Sequence, residues 1–372
     1  MRLFTRTIAV SLAATTIAAV AACSPPEKKS ESAGTSAASA TSAAGLGGID
    51  KLVEAAKAEG QLNVIALPPN WANYGEIIKA FGDKYGIKVN SAQPDGSSQD
   101  EINAANQLKG QDKAPDVFDL AATVATANVA LFSPYQVATF GDIPENLKDA
   151  NGTWVNDYGG YMSIGYDSAK VPAPASLADL LKPAYKGKVA LNGDPTQAGS
   201  AFGGVQMASL ANGGTVEDIT KGVDFFGQLK KAGNLLPVDP DSATIQSGQT
   251  PVVFDWDYLN ASEAGKLKTW KTFVPNGAVL GSYYVQAISK DAPHPAAARL
   301  WQEFLYSDEG QNLWLKGGAR PVRAEAMQKA GTIDKTAFDA LPKIEGTPVI
   351  PTEAQNAKAK EYLAANWAKA IG

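Results

Sequence analysis

The chain has 372 residues, a formal net charge of −5 and a single cysteine, Cys23. A mildly acidic chain without basic runs argues against nucleic acid as a partner, and one cysteine excludes a disulfide framework. The length leaves room for two lobes.

Arg2 and Arg6 precede an apolar run from Ile8 to Ala22, too short for a comfortable membrane span and suited to a secretory signal. Val20-Ala21-Ala22-Cys23 looks like a lipobox, so residues 1–22 read as a signal peptide and Cys23 as the lipid-bearing first residue of an exported, membrane-anchored chain. Residues 23–48 are Ser, Ala, Thr, Gly and Pro with a few charges and no apolar periodicity, which predicts a disordered tether. No later segment resembles a membrane span.

Ile49, Leu52, Val53 and Ala56 fall at helical spacing, and Gly60 stops that helix. A strand over 61–67 follows, then a helical face of Tyr74, Ile77, Ile78, Phe81 and Tyr85, and a second strand from Ile87. Strand, helix, strand is the pattern of a parallel βαβ unit. The pattern repeats: Ser98-Gln99-Asp100-Glu101 reads as a capping box, residues 115–120 as a strand, and residues 161–166, 188–191 and 251–255 as further strands separated by helices. Residues 281–323 read as a strand with two adjacent tyrosines, Tyr283 and Tyr284, then a Pro-initiated helix, a Ser-Asp-Glu restart, a second helix and a Gly-Gly stop. The fold class is α/β, with mainly parallel sheets flanked by helices.

The order of LVEAAKAEGQLNVIALPPNWANYGEIIKAFGDKYGIKV, APDVFDL, GYDSAKVPAPASLADLLKPAYKGKVAL, GQTPVVFDWDYLNA and the segment from Gly281 resembles the solute-binding lipoproteins of ABC importers, within the group that includes ferric-iron, polyamine, thiamine and phosphonate binders. The resemblance spans nearly all of residues 49–372. It implies the type II periplasmic-binding fold, two hinged α/β lobes, with lobe one at 49–159 and 284–322 and lobe two at 160–283 and 323–372. It also implies a small-molecule solute, an ABC permease as partner and closure by hinge motion, with no cofactor. The lipid anchor supplies the membrane attachment, and the receptor is expected to be a monomer.

In open α/β sheets, ligands bind outside the carboxyl ends of the strands. That rule selects residues 68–75, 91–101, 120–128, 192–200, 255–260 and 281–287, which hold no Lys or Arg. They do hold Asp95, Asp100, Glu101, Asp194, Asp255 and Asp257, and the aromatic residues Trp71, Tyr74, Trp256, Tyr258, Tyr283 and Tyr284. Acids and aromatic faces together point to a cationic, polyamine-like solute. Ser97, Ser98 and Ser200 precede expected helices and support the alternative, an anionic ligand such as a phosphonate. Ferric iron is a further alternative, although 254–258 carries one tyrosine where iron binders of this group carry a pair. The resemblance to polyamine binders also departs from pattern, because the acid they carry at the return crossing is Tyr284 or Gln286 here. A glycan-active surface enzyme is the reading from a different class. The only histidine, His294, lies at a helix start, so a Ser-His-Asp triad or a usual zinc site is not expected.

Overall fold

The computed structural model describes residues 37–372. The expectations for residues 1–22, for Cys23 and for the start of the tether lie outside the described residues.

Helix α1 (Ile49–Glu59) buries Leu52 and Ala56 and ends at Gly60 in the left-handed conformation. Strand β1 (Gln61–Ile65) pairs in parallel with β2 (Lys88–Ala92), and α2 (Tyr74–Tyr85) connects them. Helix α3 (Ser98–Gln107) then leads into β3 (Val117–Ala121) and the short α4 (Ala122–Ala127). The capping box at α3 lies one residue earlier than the sequence pattern indicates. Ser97 is the cap and Asp100 its reciprocal partner, while Glu101 points inward and accepts the Asp119 N–H at 3.0 Å.

The main sheet has the order β3-β9-β5-β7-β6, built on β5 (Val155–Asp167), β6 (Val189–Leu191), β7 (Val252–Trp256) and β9 (Gly281–Ser289), with the short β4 (Phe132–Ser133) paired to β9 and β8 (Trp270–Phe273) paired to β5. Two lobes share this sheet. Of the mainly parallel pairing expected, the parallel ladders are β1–β2 and β6–β7, and β5 and β9 run antiparallel to their neighbours as they cross between the lobes. β5 pairs with β9 through Gly159–Tyr161 and with β7 from Met162 onward, so one strand serves both sides. It starts six residues before the predicted strand, since Gly159 and Gly160 read as loop residues in sequence. Here they permit close approach: a methyl at Gly159 would overlap the Ser282 carbonyl and the Tyr283 ring, and one at Gly160 the Asp257 carboxylate and the Tyr258 ring.

In the second lobe, α5 (Gly199–Ala211) and α6 (Thr220–Ala232) pack together beside β7, and α8 (Asp257–Lys266) follows that strand directly after the short α7 (Ser242–Ser247). In the first, α9 (Pro295–Leu305) lies on α1, and α10 (Asp308–Lys316) precedes the two-residue β10 (Arg320–Pro321), which pairs with β5. The chain then remains beside α10: the Asn312 amide donates to the Thr332 carbonyl at 2.9 Å and its oxygen accepts the Asp334 N–H at 2.8 Å. Only further on does it cross, pairing Val349 with Val279 and Gly281 before α13 (Glu353–Ile371) docks Trp367 on Phe226; α11 (Ala324–Ala330) and α12 (Lys335–Asp339) precede that crossing. No described helix is long and apolar enough to cross a membrane.

The tether expectation fails over its second half. Ala37, Ala40 and Ala43 are buried, and Arg299 of α9 donates to the Ala38 and Ala40 carbonyls, both at 2.8 Å. Burial lowers the Arg299 pKa to about 10. Composition missed this docking because the partner is a distant arginine that binds backbone oxygens, for which side-chain identity is irrelevant.

Candidate binding cleft

A cavity of about 550 Å³ opens between the lobes. Trp71, the start of α4, Asn146, Trp154 and Asn156 wall it on one side; Asn192, the first turns of α5 and Trp256 form the other, and Ser282–Val285 of β9 run along its floor. The C-terminal segment closes one edge with Ile350, Pro351, Asn356 and Lys360.

Of the sequence candidates, Trp71, Ser200, Trp256, Tyr283 and Tyr284 line this cavity. The Trp71 indole N–H donates to the Tyr158 hydroxyl at 2.8 Å, and its ring meets Tyr284 edge-on at 6.0 Å. The loop carrying it is tightly turned, with Ala72 and Asn73 at φ 45° and 68°, and Asn73 is tied to the Leu313 carbonyl at 2.8 Å. Burial raises the Tyr283 and Tyr284 phenols above the ordinary tyrosine range, so both face the cleft as neutral hydroxyls.

The remaining candidates lie elsewhere. Tyr74 is fully buried, accepts the Gln286 amide at 3.0 Å and packs edge-on against Trp314. Tyr258 is buried between Trp71 and Tyr158. Asp95 is exposed and does not line the cavity, Ser97 is spent as a helix cap, and the Ser98 hydroxyl accepts the Ala121 N–H at 2.9 Å. Asp194 is exposed and holds a turn through Thr196.

The two acids of segment 255–258 expected to meet a cationic ligand are occupied by the fold. Asp257 is fully buried, accepts the Tyr161 N–H at 3.0 Å and pairs with Arg320 at 3.2 Å. Asp255 lies behind the wall, where it accepts the Asn192 amide at 2.7 Å, the Trp256 N–H at 2.8 Å and the Ser200 hydroxyl. Burial outweighs those donors and raises its pKa to about 7. Among the described residues, no Asp or Glu lines the cavity, and Lys360 is the one cationic side chain that does.

The profile for bacterial extracellular solute-binding proteins matches residues 117–342, more than half of the chain. The chain belongs to that family. This solute-binding protein is also 30% identical over 129 residues to an Fe(3+)-binding periplasmic protein of Serratia marcescens; the match covers 32% of the chain and spans 37% of that relative. Its fold is similar to the substrate-binding protein PotD of a Streptococcus pneumoniae spermidine/putrescine ABC transporter, with TM-score 0.61 and 15% identity over 84% of this chain and 99% of that one. AgtB of A. tumefaciens R10, solved with agropinic acid, has TM-score 0.62 and 16% identity over 84% and 98% of the two chains. Such identities establish a shared fold and nothing about the cargo. Membership of the family makes this chain an extracellular solute-binding protein.

Several cleft residues of this solute-binding protein escape a reading based on strand ends. Trp154 and Asn156 precede or begin a crossing strand, Phe202 and Gln206 lie within a helix, and Asn356 and Lys360 come from the last helix of the chain. The helical spacing of 202 and 206 was the available signal, since residues four apart share a face.

Proposed function

We propose that this protein is the exported receptor of an ABC importer that closes around a small solute bearing negative charge. The observation that carries the reading is the charge of the cleft lining, which among the described residues contains Lys360 and no carboxylate. A polyamine would bring two or more ammonium groups into a wall that offers aromatic faces but no counter-ion. Ferric iron would find Tyr283 and Tyr284 in the lining, but no described carboxylate or histidine beside them there. Neutral donors suit an acid instead, including Asn146 and the backbone N–H groups at the uncapped start of α5, Gly199 and Ser200.

The proposed lobes are 49–159 with 284–322, joined by the docked segment 37–48 and the chain to about residue 341, against 160–283 with the C-terminal helix. Closure then bends β5 and β9 near Gly159–Gly160 and Tyr283–Tyr284. Calorimetry with acetate, phosphate, aminoethylphosphonate, spermidine, putrescine and ferric citrate tests the charge reading. Heat of binding from at least one anionic solute and none from the amines is expected; spermidine binding tighter than every anion would overturn it.

Export with lipid attachment at Cys23 belongs to the same proposal, supported by Val20-Ala21-Ala22-Cys23 after the apolar run. Replacing Cys23 with serine is expected to move the receptor from the membrane fraction to the soluble one. A variant that stays with the membrane would show that another element holds it there.

A further inference from the structure

The cleft pairs one cation with an unusual amount of aromatic surface. Trp71, Trp154, Phe202, Trp256, Tyr283 and Tyr284 all line it, around a volume of about 550 Å³. An inorganic anion would fill a small part of that space and leave most of the aromatic wall wet. Pockets of 300–1,000 Å³ ordinarily take organic ligands that bury most of their surface against such walls. Flat rings stack on aromatic side chains with a gain of about 0.5–1.5 kcal/mol beyond simple burial.

Lys360 is placed to read the charged end of such a ligand. It rises from α13 beside the cavity, with its ammonium 5.6 Å from the centre of the Phe202 ring. Among the described residues it has no carboxylate partner within ion-pair distance. Its neighbour Lys358 faces away and is taken by Glu217 at 3.3 Å. The helix bearing Lys360 is fixed at the cleft by Asn356, whose side-chain oxygen accepts the Gln206 amide at 2.9 Å. An ammonium with no carboxylate partner, at the edge of an aromatic-walled space, fits a carboxylate that extends from a planar body.

We infer that Lys360 is the specificity-determining residue of the cleft and that the solute is a ring-bearing organic acid, a carboxylate on a flat aromatic or heteroaromatic body. The inference rests on the anionic reading above and narrows it in two ways, to a ring and to one residue. Aromatic faces alone would also welcome an ammonium ion; Lys360, at the rim, decides against it by like-charge repulsion.

The test uses matched probes on the full chain: indole-3-acetate against tryptamine, and phenylacetate against phenethylamine, with acetate and phosphate as ring-free controls. In calorimetry the ring acids are expected to bind at least tenfold more tightly than acetate, and the amines not at all. Lys360→Gln should weaken indole-3-acetate about tenfold, the loss of roughly one charge-assisted contact, and Lys360→Glu should abolish its binding and admit tryptamine. Lys358→Gln, two residues away, should change nothing, and both Lys360 variants should melt with the parent because the residue is exposed. Equal or tighter binding of the amines, or unchanged affinity in Lys360→Gln, overturns the inference. So does binding of phosphate or acetate without the ring acids, in which case the anionic receptor reading survives. Binding of spermidine alone would sink both.

Discussion

Replacing Arg320 with alanine is expected to destabilise the protein by about 3–5 kcal/mol, the usual cost of leaving one partner of a buried ion pair uncompensated. Asp257 has no exposed surface, and its Oδ2 faces Arg320 Nε at 3.3 Å and Nη2 at 3.2 Å. Burial raises the Asp257 carboxyl above the ordinary carboxylate range, and Arg320 is the charge that opposes the shift. The arginine also donates to the Pro342 carbonyl at 2.8 Å and covers the Tyr161 ring, so part of the loss is packing. Urea denaturation measures the effect, and Asp257→Asn in the alanine background should recover a large part of it. A loss below 1 kcal/mol in the single variant would show that Asp257 is neutral in the fold and needs no counter-ion.

The second large effect is a dependence of stability on pH that originates at Asp255. Its folded pKa is raised to about 7 by burial, above the unfolded value near 3.9. The folded state therefore holds a proton that the unfolded chain releases. The associated stability is fully present below the unfolded pKa and is lost as pH rises through 7. Between pH 5 and 8 the loss amounts to about 2–3 kcal/mol from this one group. Asp255→Asn, which removes this titration, should reduce the slope of the denaturation midpoint over that interval without abolishing it, because burial also raises Asp119 to about 7. An unchanged slope would mean that the carboxylate ionises freely in place. His294 adds a smaller fall in the same direction: despite desolvation, Asp116 at 2.9 Å raises its pKa, so stability present below 6.5 is lost as pH climbs through the folded value.

Both groups show where reading the sequence stopped. The order of helices and strands, the two-lobed architecture and the return crossing at Gly281 followed from periodicity and from the family resemblance. Charge in the cleft did not, because a loop's acids are visible in sequence while their partners are not. Asp257 meets an arginine 63 residues away, and Asp255 an amide 63 residues before it. Lys360 was invisible for the opposite reason: it arrives on a helix that no strand-end rule includes. Tyr74 illustrates a third failure, since an aromatic residue opening a helix after a loop can turn inward as readily as outward, and the Gln286 amide and Trp314 ring give it a place inside.

The grip of Arg299 on the carbonyls of Ala38 and Ala40 determines how a lipid-anchored receptor would hang from its membrane. Ala37 comes fourteen residues after Cys23, a length of chain that spans at most about 50 Å. Its mooring point is on the lobe built around α1 and α9. That lobe would stay near the lipid surface, and the opposite one, carrying α5 and Lys360, would swing to meet both the solute and the permease.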